Sequence, residues 1–256
     1  MAEEFIIYEQ PINEYVRACL RLERLFEQAD HACRGKTVWD ARNTISVLLE
    51  ILYLLDRPDL KTKITKELCR FIANFSKLEQ KENVDTEKLK NLLQRLESIN
   101  DALHHTQGRI AQALRQNQLL ETVQHYARNP GGVCAFEVPS YHLWLHKPTE
   151  ERAHDLKKWL SEFDIIKEAI CLLLCLIRES AEAQTQIAEQ GFFQMSLDPQ
   201  VPCQLVRLLV SIKDSVFPET SVGRHGVFVR FFDPKYYERP AQTKKNLTFK
   251  MACCIL

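Results

Sequence analysis

Residues 131–148, GGVCAFEVPSYHLWLHKP, gather a cysteine, two histidines and a tryptophan into one short stretch. His142 and His146 are four apart, the spacing that sets two imidazoles on one helix face as side-by-side metal ligands. Cys134 lies just upstream, and a thiolate beside an oriented histidine is the nucleophile of a cysteine hydrolase. Both chemistries lack parts. A structural zinc needs two further ligands, and no C-x2-C or HExxH occurs in the chain. A hydrolase also needs an oxyanion hole, which nothing here specifies. The stretch reads as packing with surface histidines, so no catalytic residue, metal or cofactor is expected. The rival is a thiol or metal enzyme built on Cys134 with His142 or His146.

The arginines offer a second chemistry. Arg17, Arg21 and Arg24 fall on the first predicted helix, Arg57 follows the second, and Arg115 sits in a fifth. Arg207, Arg224 and Arg230 belong to a strand-rich region. Solvated surface is the ordinary fate of such residues. Arg230 stands apart, because it lies between Phe228 and Phe232 on one face of an alternating run. A guanidinium flanked by aromatics on a sheet suits a groove that reads peptide carboxylates bidentately. Cys171 and Cys175 fall inside the most apolar run and read as small core hydrophobes. His104 and His105 sit at a helix end, where the dipole favours them.

The elements that must position these residues change character near residue 181. Before it, helical periodicity dominates. Leu60, Ile64, Leu68, Phe71, Ile72 and Phe75 form one stripe, and Leu89, Leu92, Leu93, Leu96, Ile99 and Leu103 another. Asn13 is a good N-cap for the first helix, Asp85 for the fourth, and a helix through Ile45–Leu55 must end before Pro58. A fifth helix is expected roughly from Ile110 to Tyr126, stopping at Asn-Pro-Gly-Gly. Pro139 can open a short helix through His146. The run Ala169–Ile177 reads as a helix buried on most sides.

After residue 181 the period falls to two. Val227, Val229 and Phe231 alternate against Phe228, Arg230 and Phe232, and Leu247, Phe249, Met251 and Cys253 against Thr248, Lys250, Ala252 and Cys254. QLVRLLVSIK and GFFQMSLD are further strand candidates. VCAFEV is expected to add a strand from mid-chain and FIIYEQ one from the start. The fold class is α+β: an α-helical domain over 12–128, then a mostly antiparallel β-strand domain over 133–256, joined by residues 3–10 and carrying inserted helices at about 139–180.

Composition narrows the class of partner. The 256 residues hold 34 basic and 34 acidic side chains, which argues against nucleic acid as the main partner. Residues 184–256 carry nine Lys or Arg against six Asp or Glu, so an adaptor for nucleic acid or an anionic surface remains the second rival. Seven glycines and no GxxxxGK[ST] or GxGxxG speak against a phosphate cradle. The first residues have no basic leader, and nine apolar residues cannot cross a bilayer that needs ~20. Nine cysteines without an export signal suggest a reducing compartment. The final CCIL matches a prenylation pattern formally, but it also continues the strand alternation before it.

Several of these segments together resemble one family. YEQPINEYVRACLRLERLF resembles the opening of the ZapD family of bacterial cell-division proteins. NPGGVCAFEVPSYHLWLH is similar to that family's mid-chain segment, and the RFF strand and terminal F-K-M-A-C-C fit as well. The resemblance covers essentially the whole chain. It implies a cytoplasmic, non-enzymatic homodimer with a helical and a β-strand domain, acting at mid-cell and not inserted in a membrane. It implies binding of the C-terminal tail of FtsZ, the tubulin-like division protein, and bundling of its filaments during septation. The family's basic pocket carries over to Arg17, Arg57 and Arg230, with Arg21 and Arg115 as secondary candidates. A further family arginine falls on Gly226 here, with Arg224 close by as a candidate contact, and the resemblance leaves open whether Arg224 takes its place. The Ile-Leu after Ala-Cys-Cys also departs from the family ending.

Overall fold

The computed structural model describes residues 4–78, 84–106, 108–198, 200, 203–223, 226–235 and 238–255. The chain divides into two compact units, residues 18–173 and residues 1–17 with 174–256. The helices within 139–173, which the sequence reading groups with the strands, fall in the first of these.

The helices run α1 (Glu14–Cys33), α2 (Val38–Leu55), α3 (Leu60–Ser76), α4 (Thr86–His105), α5 (Gln112–Arg115), α6 (Gln118–Tyr126), α7 (Pro139–Leu145), α8 (Thr149–Ser161) and α9 (Asp164–Glu179). The starts of α1, α2, α4 and α6 follow from short polar side chains that answer the orphan N–H groups of a first turn. Asn13 Oδ1 accepts from the Val16 N–H at 2.8 Å, and the Asp85 carboxylate accepts from Lys88 N–H at 3.1 Å. At α2, Thr37 and Asp40 exchange hydrogen bonds in a capping box. Helices α3 and α4 pack on each other, burying Leu60, Ile64, Leu68 and Phe71 of one and Leu89, Leu93, Leu96, Ile99 and Leu103 of the other.

Three expectations need correction. The fifth helix is two, because Asn117 breaks the run and caps a new start by accepting from Leu119 and Leu120 N–H at 3.0 and 3.2 Å. VCAFEV is not a strand. Gly131 and Val133 adopt positive φ, 71° and 61°, and the Cys134 carbonyl accepts from both Glu137 and Val138 N–H, which folds the segment into turns. Cys171 and Cys175 are exposed. Helix α9 turns Ala169, Ile170, Leu173, Leu174 and Ile177 inward, and a one-sided stripe leaves the cysteines outside however apolar the run looks.

The strands are β1 (Phe5–Pro11), β2 (Gln184–Ala188), β3 (Phe192–Ser196), β4 (Cys203–Ser211), β5 (Phe217–Gly223), β6 (Gly226–Asp233), β7 (Ala241–Gln242) and β8 (Leu247–Ile255). FIIYEQ is thus a strand, as expected. One antiparallel sheet has the order β1-β4-β8-β2; the other is β3-β6-β5, with β7 pairing the end of β6. The two sheets share one apolar core. Val206, Leu208, Phe249 and Met251 come from the first, and Val227, Val229 and Phe231 from the second. Phe249 sits 5.1 Å from Phe231 and 5.3 Å from Phe193, ring centroid to centroid. Each fully buried aromatic ring of this kind stabilises the sandwich by about 2–3 kcal/mol. The architecture is therefore α+β, with the strands mostly antiparallel.

Candidate partner-binding site

Strand β6 positions Arg230 by period-two alternation. Val227, Val229 and Phe231 are completely buried, so Phe228, Arg230 and Phe232 point the other way, with Phe228 45% exposed. Register sets Arg230 opposite Phe192 on β3 and Glu219 on β5. Phe232 stacks on Phe217 at 5.8 Å. The result is an exposed arginine with a phenylalanine on either side of it along one strand face. Among the described residues no carboxylate is paired with it, although Glu219 is its cross-strand neighbour.

A cleft of about 950 Å³ opens beside Arg230. Its rim is the hairpin turn between β2 and β3. Gln190 and Gly191 both take positive φ, 49° and 73°, as a two-residue hairpin turn of the primed type requires. Three contacts pin that turn. Gln190 N–H donates to Asn246 Oδ1 at 2.9 Å, the Gln242 amide donates to the Gln190 carbonyl at 3.1 Å, and Phe231 N–H donates to the Gly191 carbonyl at 2.8 Å. The cleft wall adds Phe192, Phe193 and the exposed Ile187. Such a site can bind an anionic group at the arginine and apolar side chains at the phenylalanines, while side-chain amides remain for backbone groups. Sequence reasoning missed Gln190, Gln242 and Asn246. The available signal was the Gln-Gly pair between two alternating runs.

The other arginines are placed as follows. Arg17 and Arg21 lie on α1, Arg17 half-buried beside Glu14 and Arg21 exposed. Arg57 is exposed just past the end of α2. Arg115 is 13% exposed and pairs with Asp56 at 2.9 Å; burial pulls its pKa down and Asp56 holds it up. Arg224 lies outside the described residues. The Arg230 cleft is lined, among the described residues, by neither Arg17, Arg21, Arg57 nor Arg115.

Three further arginines belong to the scaffold. Arg178 donates to both oxygens of Glu9 at 2.9 and 2.8 Å, and Arg207 donates to the same carboxylate at 3.0 Å. Arg152 is 7% exposed and donates to the carbonyls of Leu145, Lys147 and Lys36, fastening the end of α7 to the loop before α2.

The opening motif is structural in its apolar half. Tyr141, Trp144 and Leu145 are buried. The Trp144 indole donates to Asp155 at 2.9 Å and its ring stacks on Trp159 at 5.4 Å. Burial pushes the Tyr141 phenol up to about 12. His142 and His146 are exposed with ring centroids 4.5 Å apart, and the Cys134 thiol donates to the Gly131 carbonyl at 3.1 Å. Among the described residues no group of three His, Cys, Asp or Glu could hold a metal, and no helix is long and apolar enough to cross a membrane.

The chain matches the family model of ZapD, a cell division protein, over residues 20–230. It is 38% identical to the cell division protein ZapD of Coxiella burnetii over 256 residues, 99% of each chain. It is 36% identical to that of Methylococcus capsulatus over 98% of each chain, and 32% identical to that of Azoarcus sp. over 98% of this chain and all of the relative. With nearly full-length coverage on both sides, this chain belongs to the ZapD family of cell division proteins, and its role is in cell division.

Proposed function

We propose that this protein is a non-enzymatic cytoplasmic division factor that binds the C-terminal tail of FtsZ and, as a homodimer, crosslinks and bundles FtsZ filaments to stabilise the ring at mid-cell. Arg17, Arg57, Arg224 and Arg230 are the proposed tail contacts, with Arg21 and Arg115 secondary. The observation that carries the reading is Arg230, exposed between two phenylalanines of one strand face and beside a cleft with both apolar and amide walls, in a chain of this family. Charge-assisted hydrogen bonds to tail carboxylates, backed by apolar contact, make a small interface of roughly micromolar strength. Two tails per dimer and many tails per filament then raise avidity by ~10²-fold or more without any new contact.

Co-sedimentation with FtsZ tests this directly. Filaments with intact tails should carry the protein into the pellet as bundles, and filaments lacking the tail should not. Equal pelleting with tail-less filaments would overturn the reading.

A further inference from the structure

Helix α2 shows solvent a stripe arranged symmetrically about its own midpoint. Trp39, Asn43, Ser46, Glu50 and Tyr53 are exposed, Trp39 at 77% and Tyr53 at 72%, while Ile45, Leu48, Ile51 and Leu52 are buried beneath. Two large aromatics on the outer face of an amphipathic helix mark a surface that expects cover. They stand seven residues to either side of Ser46, a spacing that returns to the same face after two turns. Four residues to either side of Ser46 stand Arg42 and Glu50, one charge of each sign. In an antiparallel helix pair crossing at residue 46, each position faces the one equally far beyond Ser46 in the other copy. Trp39 then meets Tyr53, and Arg42 meets Glu50. The small Ser46 falls where the two axes approach most closely, at about 8–10 Å.

The surroundings fit that pairing. A cleft of about 690 Å³ runs beside the stripe, walled by Val123 of α6 and Ala127 just past its end, together with Val133 and Tyr141, and it can receive an aromatic ring. The Arg42 guanidinium is held ready on the surface, 5.6 Å from the Trp39 ring centroid and 5.4 Å from that of Tyr141. The charges at 42 and 50 cancel within one copy, which favours a surface with the same arrangement over a strongly charged partner.

We propose that this face of α2 docks on the same face of a second copy, antiparallel, with the twofold axis at Ser46. Every contact is then made twice, as an isologous interface requires. The proposal rests on the dimer reading above and names the surface that makes the dimer.

Sedimentation velocity over a concentration series tests it on the full chain, with R42E, E50R, the double swap R42E/E50R, and S46R. Each single reversal sets two like-charge pairs across the axis and should weaken dimerisation at least about tenfold. The double swap should return to within about threefold of the wild-type chain, since the two sites couple directly. S46R wedges the crossing point and should also weaken the dimer. Glu50 and Ser46 are exposed, so E50R and S46R keep the test open if losing the Arg42 stack unsettles the fold. Single variants that dimerise as tightly as the wild-type chain would overturn this surface and leave the dimer reading standing. A wild-type chain that stays monomeric throughout would overturn both.

Discussion

In the β1-β4-β8-β2 sheet, Glu9 takes three hydrogen bonds from Arg178 and Arg207, and all three side chains are about one-quarter exposed or less. In the β3-β6-β5 sheet, Arg230 stands exposed between two phenylalanines with a cleft at its side. The residue type is the same. What differs is the company each keeps. The first pair of arginines meets a carboxylate supplied by the chain itself, tying the end of α9 and strand β4 to strand β1. Arg230 has the donors and the space, and among the described residues no carboxylate is paired with it. An arginine closed on its own chain should matter to stability, and an open one to recognition.

The largest effect should come from breaking that contrast at its open end. R230E should weaken binding of an FtsZ tail peptide at least about thirtyfold in anisotropy titrations, as loss of a binding hot spot does. Its stability should stay within about 0.5 kcal/mol of the parent, because the side chain is a surface one. Normal peptide binding by this variant would place the pocket elsewhere.

The closed end should behave in reverse. Glu9→Ala removes the carboxylate that Arg178 and Arg207 share in a partly buried node, and urea denaturation should show a loss of about 2–4 kcal/mol. Peptide affinity of the folded fraction should not change. A loss under about 0.5 kcal/mol would mean the node adds nothing to stability, and the contrast would fail.

Gly191→Ala sharpens the comparison by moving the cleft rim and leaving Arg230 intact. A Cβ there would sit 2.5 Å from the Thr243 carbonyl oxygen at a φ of +73°. Thermal unfolding should show a cost of about 1–3 kcal/mol, with weaker peptide binding beside it. Full affinity in this variant would show that the turn takes no part in binding.

The smallest effect concerns carboxylates that answer backbone rather than guanidinium. The Thr37 hydroxyl, then its N–H, holds the Asp40 pKa below the usual value; the Lys88 N–H, then its ammonium, does the same for Asp85. A folded pKa below the unfolded one, about 3.9, gives stabilisation that is complete above about pH 4 and lost as pH falls through the lowered values. D40N and D85N should therefore flatten the acid limb of a stability-against-pH curve, slightly, since both groups are exposed. An unchanged acid limb would remove these caps as the cause.

Much of this was legible in the residues. Alternation alone predicts that Val227, Val229 and Phe231 face in and Arg230 out, because side-chain direction in a strand has a period of exactly two. Asn13 and Asp85 announce their helices because a cap acts within three residues. What was not legible acts at long range. Glu9 and Arg207 are 198 positions apart, so nothing local says that Arg207 is a strut while Arg230 is free to bind. Cys171 and Cys175 failed for a related reason: an apolar run says that a helix is buried, and only its neighbours say on which side. In VCAFEV the pattern of a strand was present, but the paired glycines and the positive φ at Val133 turned the chain before any partner strand could take it.

The order of strands in the first sheet has a consequence for how this half is made. Among the described residues, strand β1 pairs only with β4, and β4 pairs on its other edge with β8. At ribosomal rates of roughly 5–20 residues per second, β1 waits some ~10–40 s for β4 to be synthesised, and β8 follows later still. Throughout that interval the Phe5–Pro11 segment has no partner strand, and an unpaired β-prone segment is the kind that recruits neighbouring chains. Closure of this sheet is thus paced by translation, and a holdase that shelters the Phe5–Pro11 segment until β4 has emerged should raise the yield of the folded protein.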